Sequence, residues 1–148
     1  MSERRYTISS LLSRLVEIED KARDFYASSE VEGNGDIIKY FSLFSKEHQE
    51  TAAKIEITKR ETIVEFALES ISGVDIEKCL NEIDDAILGK QITALNKSIK
   101  IEEKIFQLYT NVAEKIAHMS GEASQLLLSS NKKTKKRLDI LRQLQKRR

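Results

Sequence analysis

One stretch of this chain is written twice, 83 positions apart, and each copy sets a glutamate into an apolar helical stripe. The first copy runs from Val16 to Tyr26 and the second from Ile99 to Tyr109, so that Glu19 falls on Glu102, Lys21 on Lys104 and Tyr26 on Tyr109. Leu12, Leu15, Glu19, Ala22 and Tyr26 step by three, four, three and four, as do Leu95, Ser98, Glu102, Ile105 and Tyr109. Residues spaced in this way share one face of an α-helix. Both glutamates therefore point where leucines point, at matching heights. Carboxylates in a core are costly unless they share a proton, meet a cation or coordinate a metal. The alternative is that one of them tilts to the surface among its charged neighbours.

The rest of the composition suits helices. Charged residues make up 33%, aromatic residues 6%, and the chain has no proline and five glycines. A length of 148 residues is enough for one domain with a continuous core, and a single domain over 1–148 is expected. The lone Cys79 has no disulfide partner within the chain and suits a reducing compartment. No stretch approaches the ~20 apolar residues of a membrane span, and no apolar run follows Arg4 and Arg5. A cytoplasmic location without membrane attachment is the expectation.

Glycines divide the chain. Gly33 and Gly35 mark a turn with Asn34 and Asp36, Gly73 and Gly89 bracket a polar segment, and Gly121 interrupts the last third. The periodicity predicts a first helix from about Ser9, as N-cap, to about Ser29. A second opens at Asp36 along Ile37, Phe41, Phe44 and Ile55; it either continues through Ile63, Val64, Ala67 and Leu68 or breaks near Lys59 and Arg60. A third covers Lys90 to Met119, and a fourth follows Gly121. Short turns make each pair an antiparallel hairpin, over about 9–69 and 90–146. The intervening segment, about 70–89, is long enough to carry the chain from one end of a bundle to the other, with room for a short helix over Asp75 to Ile87. The expected fold is all-α: two hairpins joined by a long crossover, which is the ferritin-like four-helix arrangement.

Glu19, Ala22, Phe25 and Tyr26 on the first helix, with Glu102 and Tyr109 on the third, resemble the rubrerythrin branch of the ferritin-like superfamily. The resemblance extends over most of the chain. It implies that Glu19 and Glu102 descend from iron ligands and that Tyr26 and Tyr109 descend from tyrosines hydrogen-bonded around them. In that family each second helix adds a Glu-x-x-His pair, and the set holds two irons. Here the second helix departs from the pattern: His48 stands where a bridging glutamate belongs and Thr51 where the histidine belongs, with Glu47 and Glu50 on the flanks. On the fourth helix the offset of 83 pairs His48 with Asn131 and Thr51 with Thr134, while a slip of one residue gives Lys132 and Lys135. Neither register brings a carboxylate or an imidazole.

Glu19, Glu102 and His48 could hold one divalent ion such as iron, manganese or zinc, but they are too few to bridge two. His48 is equally well read as a core histidine hydrogen-bonded to a glutamate. Two further readings concern the polar run Ser129 to Arg137, part of which must face inward. In one, a lysine ammonium, Lys132 or Lys135, lies against Glu19 and Glu102 in place of the metal. In the other, the basic residues are all solvated while serine, asparagine and threonine hydrogen-bond the glutamates.

The expected function is accordingly that of a rubrerythrin-like protein with an incomplete carboxylate and histidine site, non-catalytic or binding at most one metal ion. One alternative is a di-iron oxidoreductase, a peroxidase or ferroxidase, with ligands recruited from Glu47 or Glu50. Cys79 alone excludes a rubredoxin-like Cys-x-x-Cys iron site within the chain. A second alternative rests on the segment 132–148, which carries nine basic residues against Asp139 and could meet nucleic acid or an acidic partner. It has no interleaved aromatic residue and no binding motif, so nucleic acid is not the expected partner. His118 lies near a helix end and has no catalytic setting. Tyr40, Phe66 and Phe106 beyond the central stripe leave room for a homodimer.

Overall fold

The computed structural model describes residues 5–29, 35–61, 68–90 and 92–147. The expected turn at Gly33 and Asn34, the continuation of the second helix through Ile63, Val64 and Ala67, the aromatic Phe66, and Arg148 lie outside them. The described residues form five helices: α1 (Ile8–Ser28), α2 (Gly35–Glu61), α3 (Ile76–Leu88), α4 (Ala94–Ile116) and α5 (Gly121–Lys146). Among them there is no strand, only an isolated bridge between Tyr6 and Ile71.

Four helix starts are fixed by side chains that take up amide groups the first turn leaves without a partner. Thr7, not Ser9, caps α1: its Oγ1 accepts from the Ser10 amide at 3.1 Å while the Ser10 Oγ accepts from the Thr7 amide at 3.0 Å. This reciprocal pair does the work of a capping box with serine in the usual place of glutamate, and it carries Ser9 into the first turn. Asp75, Thr93 and Ser120 cap α3, α4 and α5 with one bond each, their side-chain oxygens accepting from the Lys78, Asn96 and Ala123 amides. The helix expected from Lys90 thus begins at Ala94, and its far end stops at Ile116 rather than Met119.

Helix α1 packs along α2 and α4 along α5, while α2 also meets α5 and α1 meets α4. Tyr26 on α1 reaches Glu102 on α4, and Tyr109 on α4 reaches Glu19 on α1, so these two helices run antiparallel. Helix α3 lies outside them, against both α4 and α1. Its start is held near the start of α1, where the Tyr6 hydroxyl accepts from the Ile76 amide at 3.2 Å. Its end lies near the start of α4, where Lys97 Nζ donates to the Ile87 carbonyl at 2.6 Å. The segment after α2 therefore travels the length of the helices, and most of that journey is helical. Between these ends Arg14 pairs with Glu77, Lys21 with Asp84 and Lys104 with Glu82. Gly73 makes the turn before α3 with a φ of 82°, a backbone conformation that side chains disfavour.

The core runs through all five helices, from Leu11, Leu15 and Ile18 on α1 to Leu138, Leu141 and Leu144 on α5. Its middle is polar: Glu19, His48, Glu102, Thr134 and Arg137 are all at most 1% exposed. Among the described residues no helix is long and apolar enough to cross a membrane.

Candidate functional site: a buried ionic network

The stripe positions that carry Glu19 and Glu102 turn both carboxylates inward, to 1% and 0% exposure. Between them lies the imidazole of His48 on α2. Its Nδ1 is 2.7 Å from Glu19 Oε1 and its Nε2 is 2.8 Å from Glu102 Oε2. With both glutamates ionised the carboxylates can only accept, so each ring nitrogen donates and His48 is read as the doubly protonated imidazolium. Burial works against that charge, but the carboxylates of Glu102 and Glu19 outweigh it and raise the His48 pKa to about 9. The ring of Tyr26 lies nearly parallel to the imidazolium, with centroids 5.7 Å apart and 13° between planes, and presents its negative face to the cation.

The tyrosines close the network crosswise. Tyr26 Oη donates to Glu102 Oε2 at 2.6 Å, and Tyr109 Oη donates to Glu19 Oε2 at 2.5 Å. Burial and the adjacent carboxylate push both phenols well above their usual pKa, which keeps them donors. Phe41 and Phe44 pack edge-on against Tyr26, fixing the ring that makes these contacts.

A second cation enters from α5. Arg137 is 1% exposed and spreads its fork over three acceptors. Nε donates to Glu102 Oε1, Nη1 to Glu47 Oε1 and Nη2 to Thr134 Oγ1, each at 3.0 Å. Desolvation favours the neutral form of Glu102, but Arg137 and His48 overcome it and hold its pKa down at about 2. The two fully buried carboxylates are thus matched by two buried cations, with Glu47 as an outer partner whose side chain is 28% exposed. A guanidinium suits this place because its planar fork serves several acceptors at once.

The structure brings together Glu19, His48, Glu102, Tyr26, Tyr109 and, through Arg137, Glu47. Thr51 is buried on α2 one turn beyond His48. It does not bring Glu50, Lys132 or Lys135 to the site: all three are exposed. The inward positions of α5 are Asn131 and Thr134, the register of the 83-residue repeat, which turns Lys132 and Lys135 outward by a helical step. The lysine expected against the glutamates is replaced by Arg137, which reaches in from the side of α5 that faces α2. The small polar residues do face inward, but not onto the glutamates. Asn131 Nδ2 donates to Thr110 Oγ1 at 2.9 Å and to the Phe106 carbonyl at 3.2 Å, and Thr134 donates to the Ser130 carbonyl.

Sequence reasoning missed Arg137 because it tested only the counterparts of His48 and Thr51, in the register of the repeat and one residue along; the counterpart of Arg137 itself, Lys54, is exposed. A usable signal was present: an apolar gap of nine residues before Leu138, ended by the one arginine in the run. His118 lies apart from the network, with Nε2 3.1 Å from Glu69. Cys79 is buried and burial pushes its thiol up to about 12, so it is not a thiolate.

These residues do not fit a di-iron centre. A metal takes the lone pair of a neutral imidazole nitrogen, whereas both nitrogens of His48 donate, and both oxygens of Glu102 accept from protein groups. Among the described residues, no group of three or more His, Cys, Asp or Glu is arranged to hold a metal ion. In comparisons with known proteins, no family model, no curated protein and no solved structure matches this chain.

Proposed function

We propose that this chain is a ferritin-like four-helix bundle of rubrerythrin type in which an imidazolium and a guanidinium do the charge-balancing that iron does in the family it resembles, and that it is non-catalytic. The carrying observation is His48, whose ring nitrogens are spent on Glu19 and Glu102 at 2.7 and 2.8 Å. The order of packing supports the architecture: two hairpins, α1 with α2 and α4 with α5, joined through the long α3 segment, with α1 and α4 antiparallel. Dioxygen or peroxide chemistry at two metals needs bridging carboxylates with free lone pairs, and here those lone pairs accept hydrogen bonds. Recruitment of Glu47 would require it to leave Arg137, and Glu50 would have to cross to the inner face of α2. The network leaves the bundle a scaffold, whose work is done by its surfaces.

A homodimer belongs to the same proposal. Tyr40 and Phe106 are half-buried, and the large apolar side chains most exposed are instead Ile38, Leu43, Ile57, Leu68, Leu88 and Leu128. The mass in solution tests that part.

The test of the main reading is elemental analysis of protein purified without added metal, followed by an anaerobic iron titration watched by melting temperature. The proposal expects no bound metal in stoichiometric amount and an unchanged melting temperature. About one metal per chain would replace it with the single-ion reading, and two irons per chain with the oxidoreductase reading.

A further inference from the structure

Of the two readings of the polar run on α5, the one that turns a lysine into the core is not met. Helix α5 contains seven basic and two acidic residues. Of its cations only Arg137 is buried; Lys132, Lys135 and Lys136 are exposed and Lys133 is partly so. Arg137 and Arg142 are tied to Glu47, Glu102 and Glu103, whereas none of the four lysines forms an ion pair among the described residues. Lys132 with Lys135, Lys132 with Lys136 and Lys133 with Lys136 are spaced three or four residues apart, where like charges repel by a few tenths of a kcal/mol per pair. Asp139, four residues after Lys135 and three after Lys136, is the one acidic residue of α5 near them, and it offsets only one of the four charges.

These lysines occupy the side of α5 turned away from α2 and α4, against which the helix packs. Lys132 and Lys136 stand on successive turns with Lys133 and Lys135 beside them, a cationic patch about 6 Å long at ~1.5 Å per residue, beyond which the same side carries Asp139 and Gln143 before Lys146. On the opposite side of the molecule α3 carries four acidic residues and one basic one, so the positive charge is concentrated on one face.

We infer that the outer face of α5 is a binding surface for the phosphodiester backbone of duplex nucleic acid, engaged through Lys132, Lys133, Lys135 and Lys136 without reading the base sequence. A duplex offers about one negative charge per 1.7 Å of axis, a density that a row of free ammonium groups matches by releasing condensed counterions. α5 has no aromatic residue on which the bases of a single strand would stack. A bilayer would need a free apolar face on the same helix, and the apolar face of α5 is spent on the core through Leu127, Leu138, Leu141 and Leu144. This inference is independent of the reading of the buried network.

Fluorescence anisotropy with a labelled duplex of about twenty base pairs tests it, titrating the full chain between low and physiological salt. Four phosphate contacts give a slope of log affinity against log salt of roughly −3.5. K132Q/K136Q should reduce that slope by about two and weaken binding roughly 60-fold at about 0.1 M salt. K78Q/K100Q, on other helices, should leave both values unchanged, with circular dichroism showing both variants folded. A salt-independent signal, no binding at low salt, or an equal loss in the two variants would overturn the proposal. So would binding of polyglutamate or of phosphatidylserine vesicles as tight as that of the duplex.

Discussion

The two hairpins share their first helix and differ in their second. On α1 and α4 a glutamate is followed seven residues later by a tyrosine, and each tyrosine donates to the glutamate of the other helix. On α2 and α5 the repeat puts His48 opposite Asn131 and Thr51 opposite Thr134, all buried. There the equivalence ends. His48 reaches both glutamates, whereas Asn131 turns to Thr110 and the α4 backbone, and α5 supplies its charge from Arg137, outside the repeat. The symmetry survives where the buried charge is negative and is broken where it is positive. A pair of inward carboxylates constrains only the total counter-charge and the donors around it. Unlike cations from unlike positions satisfy that constraint equally well.

The largest way to break this comparison is to remove the cation of the second hairpin. Arg137→Met leaves Glu102 short of a buried partner and should cost about 3–5 kcal/mol. For a chain of this size that lowers the melting temperature by roughly 10 °C or more. Arg137→Lys should recover only part of the loss, because an ammonium cannot span Glu102, Glu47 and Thr134 as the fork does. A melting curve of Arg137→Met that overlays the native one would show that α5 brings no needed charge.

Removing the cation of the first hairpin should cost somewhat less, about 2–4 kcal/mol at mildly acidic pH, since the amide in His48→Gln can still donate to one glutamate. Its signature is in the pH dependence. The His48 pKa is raised from 6.5 to about 9 on folding, so its stabilisation is complete below about 6.5 and is lost as pH rises through about 9. Glu102 is lowered from 4.5 to about 2, so its contribution is complete above about 4.5 and is lost as pH falls towards 2. Denaturant unfolding of the native chain should weaken between pH 7 and 9, and that slope should flatten in His48→Gln. An unchanged slope in the variant would place the titrating group elsewhere.

The tyrosines sharpen the symmetric half. Tyr26→Phe and Tyr109→Phe should each cost about 1–2 kcal/mol, as each leaves one carboxylate lone pair without its donor. The two losses should agree closely, and a difference above about 1 kcal/mol would mean that the crosswise pattern is not balanced. The smallest effects belong to Lys132→Gln and Lys135→Gln. Both residues are exposed, and each change should stay within about 0.5 kcal/mol.

The inward placement of Glu19, His48, Thr51, Glu102, Tyr26 and Tyr109 was legible because helical periodicity carries it directly. So was the number of long helices and the helical crossover, bounded by Asp75 and Gly89. Boundaries were less so: Thr7 caps α1 through Ser10, a serine where a glutamate is the usual signal. Arg137 falls on the stripe Leu127, Ser130, Thr134, Arg137, Leu141 and Leu144, which steps by three and four, but only the residues aligned with His48 and Thr51 were weighed as partners of the glutamates. Part of the polar run had to turn inward, and of the two readings, a lysine or the small polar residues, the second describes the inner face, where Ser130, Asn131 and Thr134 lie between Leu127 and Leu138.

At the centre is a histidine that carries two protons at neutral pH. Nitrogen-15 NMR of the His48 ring, followed from pH 5 to beyond 10, measures this without a variant. The account predicts that both ring nitrogens bear hydrogen at pH 7, each in a hydrogen bond, with a midpoint of titration near 9. A single protonated nitrogen at pH 7, or a midpoint at or below the ordinary value for histidine, would contradict it.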